Sequence, residues 1–322
     1  LFYFAFKNMR HFNDFSSLSW YFKFVGIPVS VGIATYALLS HINLRKRRAA
    51  LQGKVVVITG ASSGIGEALS HAFYECGSKV VLAARRKTEL ERVKQNLQSK
   101  KLSIPTHDPV IVELDLANLD HLCSFVEKVF KICGHIDILI NNGGVSHRGS
   151  ILHSTMDVFK EIMYINYFGT VCLTKEILPK MVERKSGHIV FISSVQGLIA
   201  IPDRAAYAAS KHAMQAFGDS LRAEMKQHNI NVTVVSPGYI KTAISINALN
   251  EAGGKHGAMD TSTAAGFTSE YAAQKMLDTI VKQENELIIS QFLPKLAIFL
   301  RHFAPSFYFW IMAKRNILLE ST

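Results

Sequence analysis

The sequence is poor in the residues that staple a small secreted scaffold. It has four cysteines, Cys76, Cys123, Cys133 and Cys172, in 322 residues. None forms a CxxC pair and none sits beside a histidine at zinc-ligand spacing. That excludes a disulfide framework and leaves no metal site to expect. Neither an internal repeat nor a low-complexity linker interrupts the chain. Charged residues make up 19 % against 48 % hydrophobic, which excludes a disordered charged tail. Acidic residues are scarcest at the two ends. Residues 1–54 hold eight Lys/Arg against Asp14 alone, and residues 295–322 hold four against Glu320 alone. Of the formal net charge of +11, only +1 is left for the middle of the chain. A nucleic-acid groove would need that charge on the folded domain, so no nucleic-acid partner is expected. Charge flanking apolar segments suits a membrane surface better.

The longest run without a formal charge, taking His41 as neutral, is residues 24–44. As a helix rising about 1.5 Å per residue it would cover roughly 30 Å, the depth of a bilayer's hydrocarbon core. Trp20 and Tyr21 stand where an interfacial aromatic belt would, and Arg45-Lys46-Arg47-Arg48 closes the other end. The reading is a single-pass anchor over residues 20–44, after a lead of residues 1–19 and before a basic linker of residues 45–53. Met9 offers a start, and no weight is placed on residues 1–8. A cleaved signal peptide and a helix docked on its own domain are the alternatives. Basic residues predominate after the anchor, so the positive-inside rule puts the following domain in the cytosol. The Asn231-Val232-Thr233 sequon opens a predicted core strand and does not bear on orientation. The C-terminal segment, residues 295–322, is apolar but interrupted by Lys295, Arg301 and Pro305. It reads either as an amphipathic piece lying in lipid or as a helix covering a pocket or a second subunit.

From residue 54 to about 294, short β-branched runs alternate with helical stretches. The runs are 55–59, 80–83, 110–114, 136–140, 188–192, 232–235 and 287–289. Continuous apolar runs of this kind are parallel strands buried on both faces. Seven of them with intervening helices predict one α/β domain, a Rossmann-type, doubly wound, seven-stranded parallel sheet. The first strand leads into Thr59-Gly60-Ala61-Ser62-Ser63-Gly64-Ile65-Gly66, and a helix follows. Glycines there allow a tight turn and close approach of a pyrophosphate to the helix N-terminus. The second strand ends at Arg85-Arg86, where an NAD-binding site would carry a carboxylate for the ribose hydroxyls. A guanidinium suits a 2′-phosphate instead. NADP(H) is therefore the favoured cofactor, with NAD(H) as the alternative.

Tyr207 and Lys211 lie one helical turn apart, so both project from one face. Ser194 ends a buried strand 13 residues upstream, and strand ends in such sheets line the ligand crevice. A phenol, a hydroxyl and an ammonium converging there suit carbonyl reduction. Tyr207 would protonate the developing alkoxide, Lys211 would lower the phenol's pKa, and Ser194 would hold the carbonyl oxygen.

These residues, with Asp115, the Asn-Asn-Gly-Gly run at 141–144, Asn166 and the Pro237-Gly-Tyr-Ile-Lys-Thr242 run, resemble the short-chain dehydrogenase/reductase family over about residues 52–290. The resemblance implies that Gly60, Ser62, Ser63, Gly64, Ile65, Gly66, Arg85, Arg86, Asp115, Leu116, Asn142, Gly144, Tyr207, Lys211, Ile240 and Thr242 hold the cofactor. Within that set, Asp115 takes the adenine side and Ile240 and Thr242 the nicotinamide and phosphate side. It further implies that Asn166 anchors a water relay through Lys211, and that the helices carrying Asn166 and Tyr207 form a homodimer. Gly143 departs from the family's usual alanine, with an expected cost only in loop rigidity. Ser63 stands where many NADP-dependent members have a basic residue.

The anchor, the Tyr-Phe-Gly after Asn166 and the Leu-Pro-Lys-Leu near the end resemble membrane-bound members of the family. That narrower resemblance implies a membrane oxidoreductase of the endoplasmic reticulum or, less directly, of peroxisomes. Its implied substrate is a lipophilic ketone or alcohol, with acyl- or alkyl-dihydroxyacetone phosphate as one candidate. A steroid or retinoid dehydrogenase is the rival within the same chemistry, and a nucleotide-binding interaction protein the rival outside it. Residues 243–268, with Gly253, Gly254, Gly257 and Gly266, read as a mobile lid. Lys255 and His256 on it, with Arg148 and Arg204 elsewhere, would either meet a substrate phosphate or be solvated surface charges.

Overall fold

The computed structural model describes residues 22–320, with the side chains of His41 and of residues 315–320 outside that description. The expected lead, Met9, Trp20 and Tyr21 lie outside the described residues. Two compact units are present, residues 1–47 and residues 48–322. The described part of the first is helical: a π-helical turn (Phe22–Gly26) opens helix α1 (Ile27–Ala49). The helix is long and apolar enough to cross a membrane, with none of its apolar window buried in the protein. It runs on through Arg45 to Ala49, so the first part of the expected basic linker of residues 45–53 is helical and the rest is a turn. Arg48 already belongs to the second unit, where its Nε donates to Asp278 Oδ1 at 2.9 Å. Leu51 is buried in the core cluster on one face of the sheet.

The second unit is built on seven parallel strands in the order β3-β2-β1-β4-β5-β6-β7. They are β1 (Val55–Thr59), β2 (Lys79–Ala84), β3 (Val110–Glu113), β4 (Ile138–Asn141), β5 (Gly187–Ile192), β6 (Ile230–Pro237) and β7 (Glu286–Ile289). Each of the seven expected runs is one of these strands. Val56 and Ile58 join the core on one face, while Val55 and Val57 join the core on the other. A strand with two dry faces must read as an unbroken apolar run. Thr233 of the sequon is buried in β6, with its Oγ1 donating to Glu284 O at 2.6 Å.

Helices α2 (Gly64–Tyr74), α3 (Lys87–Gln98) and α9 (Ser269–Lys282) belong with the first face. Helices α4 (Leu122–Cys133), α6 (Gly169–Arg184) and α7 (Ala205–Met225) belong with the second, while α5 (Met156–Met163) packs on α7 in a separate small cluster of Val158, Ile162, Ala206 and Leu249. A short α8 (Thr261–Ala264) lies in the long connection after β6, and α10 (Phe292–Phe303) and α11 (Pro305–Glu320) end the described chain. The order reverses between β1 and β4: β2 and β3 lie on one side, β5 to β7 on the other. Two loops diverge there at the strands' carboxyl ends, and such a gap is where ligands enter doubly wound sheets.

Candidate active site

A cleft opens at that gap, lined by the loop after β1, the end of β2, and the segments after β3 and β4. Thr59 organises its floor. Its Oγ1 accepts from the backbone N–H of Asn142 at 3.0 Å and of Gly143 at 2.8 Å. Asn142 Nδ2 donates back to Thr59 O at 2.9 Å. Gly66 allows α2 to start hard against this turn, since a Cβ there would lie 2.2 Å from Gly60 O. Gly60, Ser62, Ser63, Gly64 and Ile65 line one side of the cleft, and Arg85, Arg86, Asp115, Leu116, Asn142, Gly144 and Thr242 line the rest. A helix N-terminus and a close-packed glycine turn in one cleft fit the pyrophosphate of a dinucleotide, and Arg85 and Arg86 line the same cleft.

Arg86 is more committed than its position in the sequence suggested. Its Nη2 donates to both Ser62 Oγ and Ser63 Oγ at 2.9 Å. The guanidinium is thus held over the very serine that stands where a basic residue was expected. Asp115 Oδ1 accepts from the backbone N–H of Ala117 at 3.0 Å and caps the turn after β3. Gly143 has a packing reason as well, because a Cβ there would come within 2.7 Å of Leu116 Cδ1. The expected cost in loop rigidity is therefore set against a clash that alanine would bring.

Next to the cleft lies a cavity of about 580 Å³. Ile65, Asn142, Gly144, Ser146, Thr242 and Ile244 line both spaces, so the two are continuous. Ile240 is buried and lines the cavity alone. Ser194, Tyr207 and Lys211 converge on its wall. Ser194 Oγ accepts from the backbone N–H of Gln196 at 3.1 Å and donates to Pro237 O at 3.4 Å. Lys211 Nζ donates to Ile192 O at 2.8 Å and stands 5.7 Å from the centre of the Tyr207 ring.

Burial pushes the Tyr207 phenol up, against lowering contributions from the Ser194 hydrogen bond and the Arg148 charge. Burial also pushes Lys211 down, to about 8. The expected lowering of the phenol by Lys211 is thus replaced here by loss of water around both groups. Asn166 sits in a π-helical turn (Tyr164–Phe168) between α5 and α6. A Cβ on Gly144 would fall 2.9 Å from Asn166 Oδ1 and 3.7 Å from Lys211 Nζ, so Asn166 closes the same corner. Its side chain is fully engaged. Oδ1 accepts from Val145 N at 2.8 Å, and Nδ2 donates to Val145 O and Ser210 Oγ, each at 2.9 Å. A water relay through this residue is left its main-chain carbonyl.

Asp260, which carries no sequence signal beyond being an acid in a glycine-rich loop, is the residue the expectations missed. Arg148 Nε donates to Asp260 Oδ2 at 2.9 Å, and Arg204 Nη2 lies 3.5 Å from the same oxygen. The side chains of Arg148 and Arg204 are only 9 % and 17 % exposed, so neither is a solvated surface charge. Both line the cavity. Burial, with Arg148 beside it, pushes Arg204 down to about 10. Burial works to raise the Asp260 carboxyl, but the hydrogen bond and charge of Arg148, with Arg204 and His256, hold it below the usual range. Two guanidiniums share one carboxylate, which leaves the cavity wall a net cation.

Lys255 parts company with the arginines and lines the cofactor cleft, while His256 Nε2 stays 3.9 Å from Asp260. The expected mobile lid is tied down. Leu249 N donates to Ser146 O at 2.9 Å, and Arg148 N donates to Leu249 O at 2.8 Å. Farther on, Phe267 N donates to Tyr239 O at 3.0 Å, and the Asp260 ion pairs hold the middle. Gln196 Oε1 is a buried acceptor without a protein partner on the cavity wall.

A family model described as short chain dehydrogenase matches residues 54–252. A Drosophila melanogaster protein named dehydrogenase/reductase SDR family protein 7-like is 50 % identical over 309 residues, covering 96 % of this chain and 94 % of its own. The Rattus norvegicus dehydrogenase/reductase SDR family member 7B is 45 % identical over 291 residues, covering 90 % of each chain. A short chain dehydrogenase/reductase from Burkholderia phymatum, solved in complex with NAD, superposes with a TM-score of 0.69 at 23 % identity. It covers 78 % of this chain and 94 % of its own, and shares the fold.

Proposed function

The chain belongs to the short-chain dehydrogenase family, and from that membership we propose that it is a membrane-anchored, NADP(H)-dependent oxidoreductase interconverting a lipophilic ketone and its secondary alcohol. The observation that carries the reading is the convergence of Ser194, Tyr207 and Lys211 on a cavity continuous with a dinucleotide-shaped cleft. Gly60, Gly64 and Gly66 with the α2 N-terminus would hold the pyrophosphate, Asp115 and Leu116 the adenine, and Ile240 and Thr242 the nicotinamide end. Arg86, steadied by Ser62 and Ser63, with Arg85 beside it, would take the 2′-phosphate. When bound, the nicotinamide supplies the hydride that the carbonyl carbon accepts.

The chain's own residues do the rest. Ser194 Oγ would donate to the carbonyl oxygen, and the Tyr207 hydroxyl, kept protonated by burial, would give its proton to the same oxygen as negative charge develops there. The Lys211 ammonium would steady the phenolate that remains, and protons would return through the corner that Asn166 holds closed.

A lipid-phosphate ketone such as acyl- or alkyl-dihydroxyacetone phosphate is the substrate class we favour. The net cation that Arg148 and Arg204 leave on the cavity wall supports it, as does the apolar remainder of the lining. Anchoring is supported by the length and composition of residues 22–49. The basic run after the anchor supports a cytosolic active site on an endoplasmic reticulum or peroxisomal membrane. A homodimer through α6 and α7 is supported by the half-exposed rings of Tyr164 and Phe168, which meet at a tilt, with Tyr167 edge-on between Phe168 and Phe217.

The test is NADPH oxidation by the detergent-solubilised full chain with acyl-dihydroxyacetone phosphate and, separately, a steroid ketone. Turnover of the phosphorylated ketone is expected. Turnover of the steroid alone would replace the phosphate class with the uncharged one.

A further inference from the structure

Helices α10 and α11 turn at Ala304 and pack on each other. One side of this hairpin forms a wall of the cavity, with Leu296, Ala297, Leu300, Ile311 and Met312. Tyr308 locks it in place: the side chain is buried, and its hydroxyl donates to Ala200 O at 2.6 Å. Other side chains of the hairpin face outward: Phe292, Phe299, Phe303, Phe307, Phe309 and Trp310 are each more than half exposed. Leu293 belongs to both, lining the cavity while 73 % exposed. The cavity therefore reaches the surface beside the exposed aromatic face. Six exposed aromatic rings on one helical hairpin mark an interaction site.

Charge narrows the occupant. No acidic residue occurs from residue 287 to residue 319, while Lys295, Arg301, Lys314 and Arg315 lie in that stretch. The Arg301 guanidinium lies over the Phe309 ring at 4.9 Å, a cation held against one of the exposed aromatics. A second copy placed on this face would set cations against cations. Aromatics mixed with lysine and arginine, and no carboxylate, instead match the boundary between anionic headgroups and acyl chains.

We propose that the α10–α11 hairpin is immersed in the membrane leaflet and forms the portal through which substrate passes from the lipid into the cavity at Leu293. The substrate-entry half rests on the function proposed above; the immersion half does not.

The chain has two tryptophans, so Trp20→Phe leaves Trp310 as the sole tryptophan, excited apart from the tyrosines at the long-wavelength edge of its absorption. The full-length protein is reconstituted into phosphatidylcholine–phosphatidylserine vesicles, with and without bromine on the acyl chains. Brominated lipid should reduce Trp310 emission about twofold or more, with little quenching by aqueous iodide. Phe303→Asp with Phe307→Asp should restore iodide quenching. The same pair should raise KM about tenfold for a long-chain ketone held in vesicles, with kcat/KM for a short, water-soluble ketone unchanged. Quenching by iodide and not by brominated lipid would place the face in water and overturn the proposal. Protection from both quenchers, lost on dilution, would overturn it in favour of a second copy. The fluorescence measurement needs no turnover, so an inactive protein would count against the proposed reaction and leave the immersion result standing.

Discussion

At the wall of the cavity, Tyr207 and Lys211 are driven toward their neutral forms by the same loss of water, in opposite directions on the pH scale. For ketone reduction this is favourable at neutral pH. The phenol holds the proton it must give, and Lys211, with a pKa of about 8, is still mostly charged. Above that value the ammonium is lost while the phenol remains protonated. The kcat/KM for reduced cofactor, which reports the free protein, should be flat below about pH 8 and fall with one-proton dependence above it. Lys211→Met should be slow throughout and lack that descent. A descent that survives in the variant would assign the titration elsewhere. Arg86 offers a second residue-scale test. Removing its charge-assisted contacts in Arg86→Glu should raise the Kd for NADPH by about 10- to 100-fold and leave NADH binding nearly unchanged, as a fluorescence titration would read.

Elements explain which parts of this site could be read from the chain and which could not. The five inner strands were legible because burial on both faces leaves a signal in nearly every residue, as in Val55 to Thr59, while the edge strands β3 and β7 are partly exposed and show more weakly. The Tyr207–Lys211 pair was legible because helical spacing alone puts two side chains on one face. The π-helical turn at Asn166 carries no such periodicity, and the partners of the Asn166 amide, Val145 and Ser210, lie far from it in the chain. The loop of residues 243–268 misled for a related reason. Its glycines report local freedom, whereas its order comes from partners far along the chain, Ser146, Arg148 and Arg204. Asp260→Asn should therefore unfasten the loop, lowering stability by about 1–3 kcal/mol in denaturant unfolding, since it strands two largely buried guanidiniums. Protection of the Leu249 and Phe267 amides in hydrogen exchange should fall with it. An unchanged exchange pattern would mean that the backbone contacts suffice without the ion pairs.

The whole molecule divides its labour along the sheet. Amino-terminal strands build the cofactor cleft, and the later strands build the reactive corner. The C-terminal hairpin then lines the cavity with some side chains and exposes aromatics with others. Of the two sequence readings of the last segment, pocket cover is what the lining shows and lipid contact is the proposal above; composition alone could not separate them because both demand the same residues. The central claim, that the Ser194–Tyr207–Lys211 corner performs ketone reduction, is tested most directly by single turnover. The NADPH-loaded full chain is mixed with a long-chain ketone, and the loss of reduced cofactor is followed in native protein and in Tyr207→Phe. The account predicts cofactor oxidation matched by alcohol formation in the native protein. In Tyr207→Phe the rate should fall about 100-fold or more while the Kd for NADPH is unchanged. A variant that reduces the ketone at the native rate would contradict it.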